Sequence, residues 1–236
     1  MNKYFTVTIG LLMFFVLLSI LVSPNINSTD STLIKADNSA FISINKSHIS
    51  ALDQFMVYLT FFGREYFWIP VIILLFIFGG WAGKKAAISM AISFLILIYI
   101  GNIAKDIVHR ERPFIPKEMF IIKADSESAF PSGHAVIVSA GAANILMLFY
   151  GPSVRRKVIS ICLTVEAGLV CFSRIYVGGH YPLDVLAGIV LGVAVSLIFI
   201  GVIKHTELVF ANILNIFKLS RSNNNNNKEK TRSTER

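Results

Sequence analysis

Ser173–Asp184 reads SRIYVGGHYPLD and joins two apolar runs, Val158–Phe172 and Leu183–Ile203. It carries an arginine, two adjacent glycines, a histidine and an aspartate at the point where one hydrophobic segment breaks and the next begins. A polar group taken out of water must find a partner, so such a stretch between apolar runs marks the mouth of a membrane bundle and a task performed there. His180 and Asp184 are four residues apart, and Pro182 between them suits the first turn of a helix. That spacing lets Asp184 reach back to an imidazole at the helix start, as a carboxylate that orients and charges a histidine. Gly178-Gly179 supplies the slack for the chain to turn.

Outward from this stretch the same patterning recurs. Phe5–Val22, Tyr66–Ala82, Ala86–Ala104 and Ala135–Tyr150 are further apolar runs, which makes six spans in all. Ala51–Phe62 is aromatic and amphipathic but too short to cross, which places it at the interface. Ser50 followed by Asp53 resembles a capping box at its start. Residues 54% hydrophobic and 15% charged, with a mean hydropathy of +0.65, cannot furnish a soluble surface, since soluble domains are about 25% charged. The fold class is therefore all-α: a polytopic membrane helical bundle of about six transmembrane helices, with an interfacial helix near 51–62. The +8 formal charge is scattered between apolar runs, which implies lipid headgroups as partners and no nucleic acid.

Three segments follow: an N-terminal anchor and polar loop over 1–50, a helical-bundle domain over 51–203, and a tail over 204–236. Asn25–Ser50 reads as an exposed loop, and the Asn-rich sequence from about 221 reads as disordered. With both termini in the cytoplasm, thirteen of the 22 Lys and Arg lie inside: Lys3, Lys84, Lys85, Arg155, Arg156, Lys157 and seven beyond Ile203. The positive-inside rule favours that arrangement. Most of the exceptions cluster in the loop from Lys105 to Phe130 and at Arg174. Cys162 and Cys171 lie in one run, roughly 13 Å apart if helical, too far for a disulfide; they read as small buried apolar residues.

On this topology three motifs share the extracytoplasmic face. The first is Lys105-Asp-Ile-Val-His-Arg-Glu-Arg-Pro113, the second Pro131-Ser-Gly-His134, the third the opening stretch. Their chemistry suits an anion. Ser132 is placed to cap the fourth span, Gly133 leaves backbone amides accessible, and a helix N-terminus of this kind binds phosphate. Lys105, Arg112 and Arg174 add cations, and His134 with His180 make a set suited to nucleophile and general acid. No Asp, Glu or Cys run with metal-ligand spacing accompanies them, so no metal or other cofactor is implied. His109, Arg110 and Glu111 read as a solvated loop face, and Phe61, Phe62, Tyr66, Phe67 and Trp68 as an interfacial aromatic belt. Glu166, inside the fifth span, needs a partner there, with Asn102 or Asn144 as candidates.

K-x6-R-P, P-S-G-H and S-R-x5-H-x3-D, in this order and with these spacings, resemble the three-part signature of the type 2 phosphatidic acid phosphatase superfamily over roughly Ala51–Ile203. The resemblance implies a metal-independent integral membrane lipid phosphatase that works through a phosphohistidine. It makes His180 the nucleophile, with Asp184 holding its tautomer, and His134 the group that protonates the leaving oxygen and then activates water. Lys105, Arg112, Ser132, Gly133 and Arg174 become the phosphate-binding residues. Among family substrates a polyprenyl diphosphate fits a compact six-span chain, with phosphatidic acid or phosphatidylglycerol phosphate as the alternative. Transfer to a lipid or sugar acceptor at the same histidine is a second class. A non-catalytic lipid-phosphate binder is a third, although it would not need both histidines and Asp184. Vanadate haloperoxidases share the motifs but are soluble. The expected location is the plasma membrane, with the site outside and the tail in the cytoplasm.

Overall fold

The computed structural model describes residues 3–24, 26, 31–46, 49–114 and 127–207. Eight helices follow one another among them: α1 Lys3–Val22, α2 Thr32–Asn45, α3 Ser50–Phe62, α4 Glu65–Phe78, α5 Gly80–Val108, α6 Gly133–Asn144, α7 Val154–Tyr176 and α8 Pro182–Glu207. There is no strand among the described residues, and the all-α membrane bundle is the fold. Met1–Ile200 forms one compact unit and Gly201–Arg236 another. The tail expected to be disordered lies outside the described residues.

Four helices, α1, α5, α7 and α8, are each long and apolar enough to cross a membrane. The other two expected spans are built differently. α3, the helix expected at the interface, and α4 pass the same test only as a pair, bent by 58°. The bend falls at Gly63, where a Cβ would sit 2.4 Å from a Val170 methyl and 2.5 Å from the Leu59 carbonyl. α6 continues through a π-helical turn, Ile145–Phe149, and is too short to span alone. It is the centre of the bundle, with Ala135, Val138 and Ala140 fully buried; a helix apolar on all sides belongs inside other helices.

Close approach of α6 and α8 brings the second and third motifs together. A Cβ at Gly188 would lie 2.7 Å from the Ser132 carbonyl oxygen, and one at Gly192 would lie 2.2 Å from Ser139 Oγ and 2.3 Å from the Val136 carbonyl oxygen. Small residues four apart on one helix face let two backbones touch, which is how membrane helices gain packing without a hydrophobic driving force between them. On the opposite side of α6, Gly141 receives the Trp68 ring, whose atoms a Cβ would meet at 2.3 Å. Trp68 is therefore core and not part of an interfacial belt, whereas Phe61, Phe62 and Tyr66 are exposed.

The segment read as an exposed loop contains α2. Ser31 caps it, its Oγ accepting from the Ile34 amide at 3.3 Å. Asp37, Phe41 and Asn45, four apart and on one face, are buried. Asn45 Nδ2 donates to the Ile175 carbonyl on α7 at 3.0 Å. Two of the three buried residues are polar, so no apolar period announces the helix. The capping box expected at Ser50 does not form: Ile49 is the cap residue, and Asp53 accepts from the Tyr176 hydroxyl at 2.7 Å. Both cysteines are free, with Cys171 buried and Cys162 exposed rather than buried. Glu166 faces Gly63 and Trp68, not Asn102 or Asn144.

Packing at the α6–α8 contact can be read by adding one carbon. Gly192→Ala should destabilise the protein by about 1–3 kcal/mol through overpacking. Gly168→Ala, where nothing lies within 4 Å of the added carbon, should not. Thermal unfolding of the two variants in one detergent checks the pair.

Candidate active site

α5 delivers the first motif. Its 29 residues end at Val108, and His109 after them adopts a left-handed conformation with φ 51°, a region that His enters more readily than most side chains. His109 and Glu111 stay exposed, but the turn sends Arg110 inward, where the residue is only 6% exposed. The expected solvated loop face is thus wrong for Arg110. Its guanidinium donates to Asp184 Oδ1 at 2.6 Å and to Asp37 Oδ2 at 2.5 Å. Lys105, in the last turn of α5, is ion-paired with Glu127. Arg112 donates through Nε to the Glu127 carbonyl at 2.9 Å and through Nη1 to the Gly179 carbonyl at 3.2 Å.

The second motif opens α6. Ser132 occupies the cap position, fully buried, but its hydroxyl makes no cap bond and has no hydrogen-bond partner among the described residues. Its amide donates to the Asp184 carbonyl at 3.0 Å, which ties the motif to the first turn of α8. Gly133 lies beside Arg64, whose Nη1 would be 3.5 Å from a Cβ there. His134 Nε2 lies 3.0 Å from the Thr60 carbonyl oxygen. A carbonyl only accepts, so Nε2 bears the proton and Nδ1 is the ring nitrogen left for chemistry. Thr60 is itself positioned, its hydroxyl 2.9 Å from that of Ser173, which donates to the Val170 carbonyl at 2.7 Å.

The third motif turns where α7 ends. Gly178 takes φ +82°, and a Cβ at Gly179 would lie 3.0 Å from Arg174 Nη2, so the chain folds tightly back over that side chain. The Arg174 carbonyl accepts from the amides of Gly179 and His180, both at 3.1 Å. His180 is 2% exposed, and its Nδ1 lies 2.7 Å from the Ala129 carbonyl oxygen. The expected Asp184 contact is longer, 3.9 Å from Nδ1 to Oδ2; that oxygen instead accepts from the Tyr181 amide at 2.9 Å. The backbone carbonyl, not the carboxylate, therefore sets the tautomer. With Nδ1–H directed at Ala129, the Nε2 lone pair of His180 is available as a nucleophile.

Every sequence-derived site residue thus belongs to one connected constellation at one end of the bundle. Five contributors carried no motif: Asp37, Thr60, Arg64, Glu127 and Ala129. Charge was the one signal, at Asp37, Arg64 and Glu127, and Arg64 sits next to Glu65, with which it pairs at 2.5 Å. A cavity of about 210 Å³ is lined by Arg64, Asn102, Lys105, Glu127, Pro131 and Gly133. A larger one, about 610 Å³, is lined by Val71, Leu75, Phe149 and Arg155 and includes no motif residue. Among the described residues no three His, Cys, Asp or Glu side chains gather as metal ligands.

The half-buried His134, the buried His180 and the cations near them gather where α5 and α7 end and α6 and α8 begin. A sequence model of the PAP2 superfamily matches residues 86–206, about half of the chain, and the chain belongs to that superfamily. It is 39% identical over 171 residues to an undecaprenyl-diphosphatase from Sulfolobus acidocaldarius, covering 70% of this chain and 79% of the relative. Against the undecaprenyl-diphosphatase BcrC from Bacillus subtilis, identity is 29% over 153 residues, covering 64% and 75%. In fold it is similar to the crystal structure of a transmembrane PAP2-type phosphatidylglycerolphosphate phosphatase from Bacillus subtilis, with a TM-score of 0.65 and 23% identity, covering 84% of this chain and 96% of that one.

Burial holds the His180 imidazole well below the ordinary histidine value, and the Arg174 and Arg112 charges push in the same direction. A depressed value means that the neutral, nucleophilic form persists into more acidic solution. The acid limb that His180 gives to the pH profile of kcat/KM should therefore lie below the free-histidine value of about 6.5. Phosphate release measured from about pH 4 to about pH 8 checks it, and a limb above that value contradicts the geometry.

Proposed function

We propose that the chain removes a phosphate from a polyprenyl diphosphate at the extracytoplasmic surface, through a phosphohistidine on His180. The observation that carries this reading is the Nδ1 contact to the Ala129 carbonyl, which presents the opposite nitrogen as a lone pair inside a cationic site. Nε2 attacks phosphorus, the N–P bond forms, and the P–O bond to the lipid phosphate breaks. His134 takes up a second proton, on Nδ1, as the phosphate's negative charge enters beside it, and gives that proton to the leaving oxygen. In the second half-reaction the now neutral His134 accepts a proton from water, which attacks phosphorus and breaks the N–P bond to release inorganic phosphate.

Arg112, Arg174 and Lys105 spread the transition-state charge, the arginines through planar forks that match phosphoryl oxygens. The Ser132 hydroxyl, lacking a protein partner among the described residues, and the backbone at Gly133 supply further donors. Lys105 reaches the phosphate by sharing or exchanging its Glu127 contact. Asp184 lies too far from the imidazole for a direct hydrogen bond, so it steadies the developing positive charge across 3.9 Å. Substrate choice rests on the two undecaprenyl-diphosphatase relatives and on a site at helix mouths, where a lipid tail stays in the bilayer while its headgroup enters. The charge distribution of the loops supports the extracytoplasmic placement, and no step calls on a metal.

Purified protein assayed against polyprenyl diphosphate, phosphatidic acid and phosphatidylglycerol phosphate should release phosphate fastest from the first, and EDTA should leave the rate unchanged. His180→Ala should lower phosphate release by about three orders of magnitude or more while the protein still inserts; retained turnover removes His180 from the nucleophile role. Sidedness is read separately at Phe114, which is 92% exposed beside the first motif. Phe114→Cys, in a background lacking Cys162 and Cys171, should react with a membrane-impermeant maleimide added outside intact cells.

A further inference from the structure

α2 lies outside the matched residues 86–206, yet it sends one carboxylate into the site. Asp37 is 5% exposed and uses both oxygens. Oδ2 accepts from Arg110 Nη2 at 2.5 Å, and Oδ1 accepts from the Leu183 amide at 3.0 Å. Leu183 belongs to the first turn of α8, where backbone amides have no helical acceptor. Asp37 thus caps the helix that carries Asp184, from a distant part of the chain.

Arg110 then holds the reacting histidine by two routes. Its side chain bonds Asp184 at 2.6 Å and lies over the Tyr181 ring, 4.3 Å from the centroid. Its carbonyl accepts from the Ala129 amide at 2.8 Å, and the Ala129 carbonyl is the partner of His180 Nδ1. Asp37, Arg110 and Asp184 side chains are 1%, 7% and 0% exposed. Burying three charges costs desolvation that their attraction barely offsets, so such a triad is poor at adding stability and good at holding one arrangement.

We propose that Asp37 is a positioning residue of the phosphatase site, acting through Arg110 to fix Asp184 and the Ala129–His180 pair. This rests on His180 as the reacting group. α2 is on this reading a working part of the active site, not a spacer between the first span and the catalytic helices. Displacement of a reacting group by an ångström costs about 100-fold in rate, so the effect belongs in kcat, whereas the residues that hold phosphate keep KM where it is.

The test uses full-length protein in detergent and the panel lipid that it hydrolyses fastest. Asp37→Asn should lower kcat by about 10- to 100-fold with KM within about twofold. Arg110→Met should do the same, and the double variant should lose little more than either single one, because both act through one network. Asn45→Ala, which unhooks α2 from Ile175 without touching Arg110, should lower the unfolding midpoint and leave kcat unchanged. The proposal is overturned if Asp37→Asn keeps kcat within twofold of wild type, if the two single losses multiply, or if Asn45→Ala loses as much kcat as Asp37→Asn. Should Asp37→Asn fail to fold, Arg110→Lys decides, since an ammonium cannot bridge both carboxylates in this geometry: a kcat loss at constant KM supports the proposal, and wild-type kcat overturns it. Retained turnover in His180→Ala would instead remove the nucleophile assignment, a separate outcome.

Discussion

The Arg110 guanidinium, gripped by Asp37 on one side and Asp184 on the other, is the contact on which the site end of the bundle depends. Charges inside a low-dielectric bundle cannot stand alone, so each one fixes where its partners must be. Arg110 comes from the end of α5, Asp37 from α2 and Asp184 from the first turn of α8. One side chain therefore sets the relative placement of three helices, and its own carbonyl secures Ala129. The left-handed turn at His109 makes this possible by pointing Arg110 away from solvent.

Both histidines are oriented by backbone carbonyls, His180 by Ala129 and His134 by Thr60. The physical consequence is tautomer control without a second full charge in direct contact with either ring. A carbonyl dipole holds Nδ1–H of His180 in place but stabilises an imidazolium less than a touching carboxylate would. Burial and the nearby arginines outweigh that carbonyl, which favours the charged ring, and hold the imidazole well below the ordinary histidine value. In the proposed mechanism the same arginines supply charge for phosphoryl oxygens.

The family match covers residues 86–206, but the constellation is wider than the match. Thr60 and Arg64 come from the bent α3–α4 pair, and Asp37 comes from α2. α7 packs against the bend at Gly63, where Val170 leaves no room for a Cβ, and the bent pair brings Thr60 and Arg64 to the second motif. Close packing of α8 on α6 through Gly188 and Gly192 closes the site from the other side. Phosphatase chemistry common to the superfamily is thus framed by helices whose sequences carry no motif.

Sequence alone determined the helical membrane class, the three motifs and the cationic character of the site, because apolar run length and residue chemistry are local properties. It also singled out His134 and His180, the two histidines proposed to react. Tertiary structure decided what each side chain touches. Asp184 pairs with Arg110 rather than directly with His180, Lys105 meets Glu127, and Ser132 keeps its hydroxyl out of the cap. α2 escaped detection because its buried face is polar and satisfied by groups more than a hundred residues away, at Ile175 and Leu183. The break near Gly63 was legible as the gap between Ala51–Phe62 and Tyr66–Ala82, but the 58° bend that makes α3 and α4 one pair and the burial of α6 on all sides became visible only in the tertiary structure. Composition reports what a segment prefers, whereas a buried polar contact depends on the one place where its partner arrives.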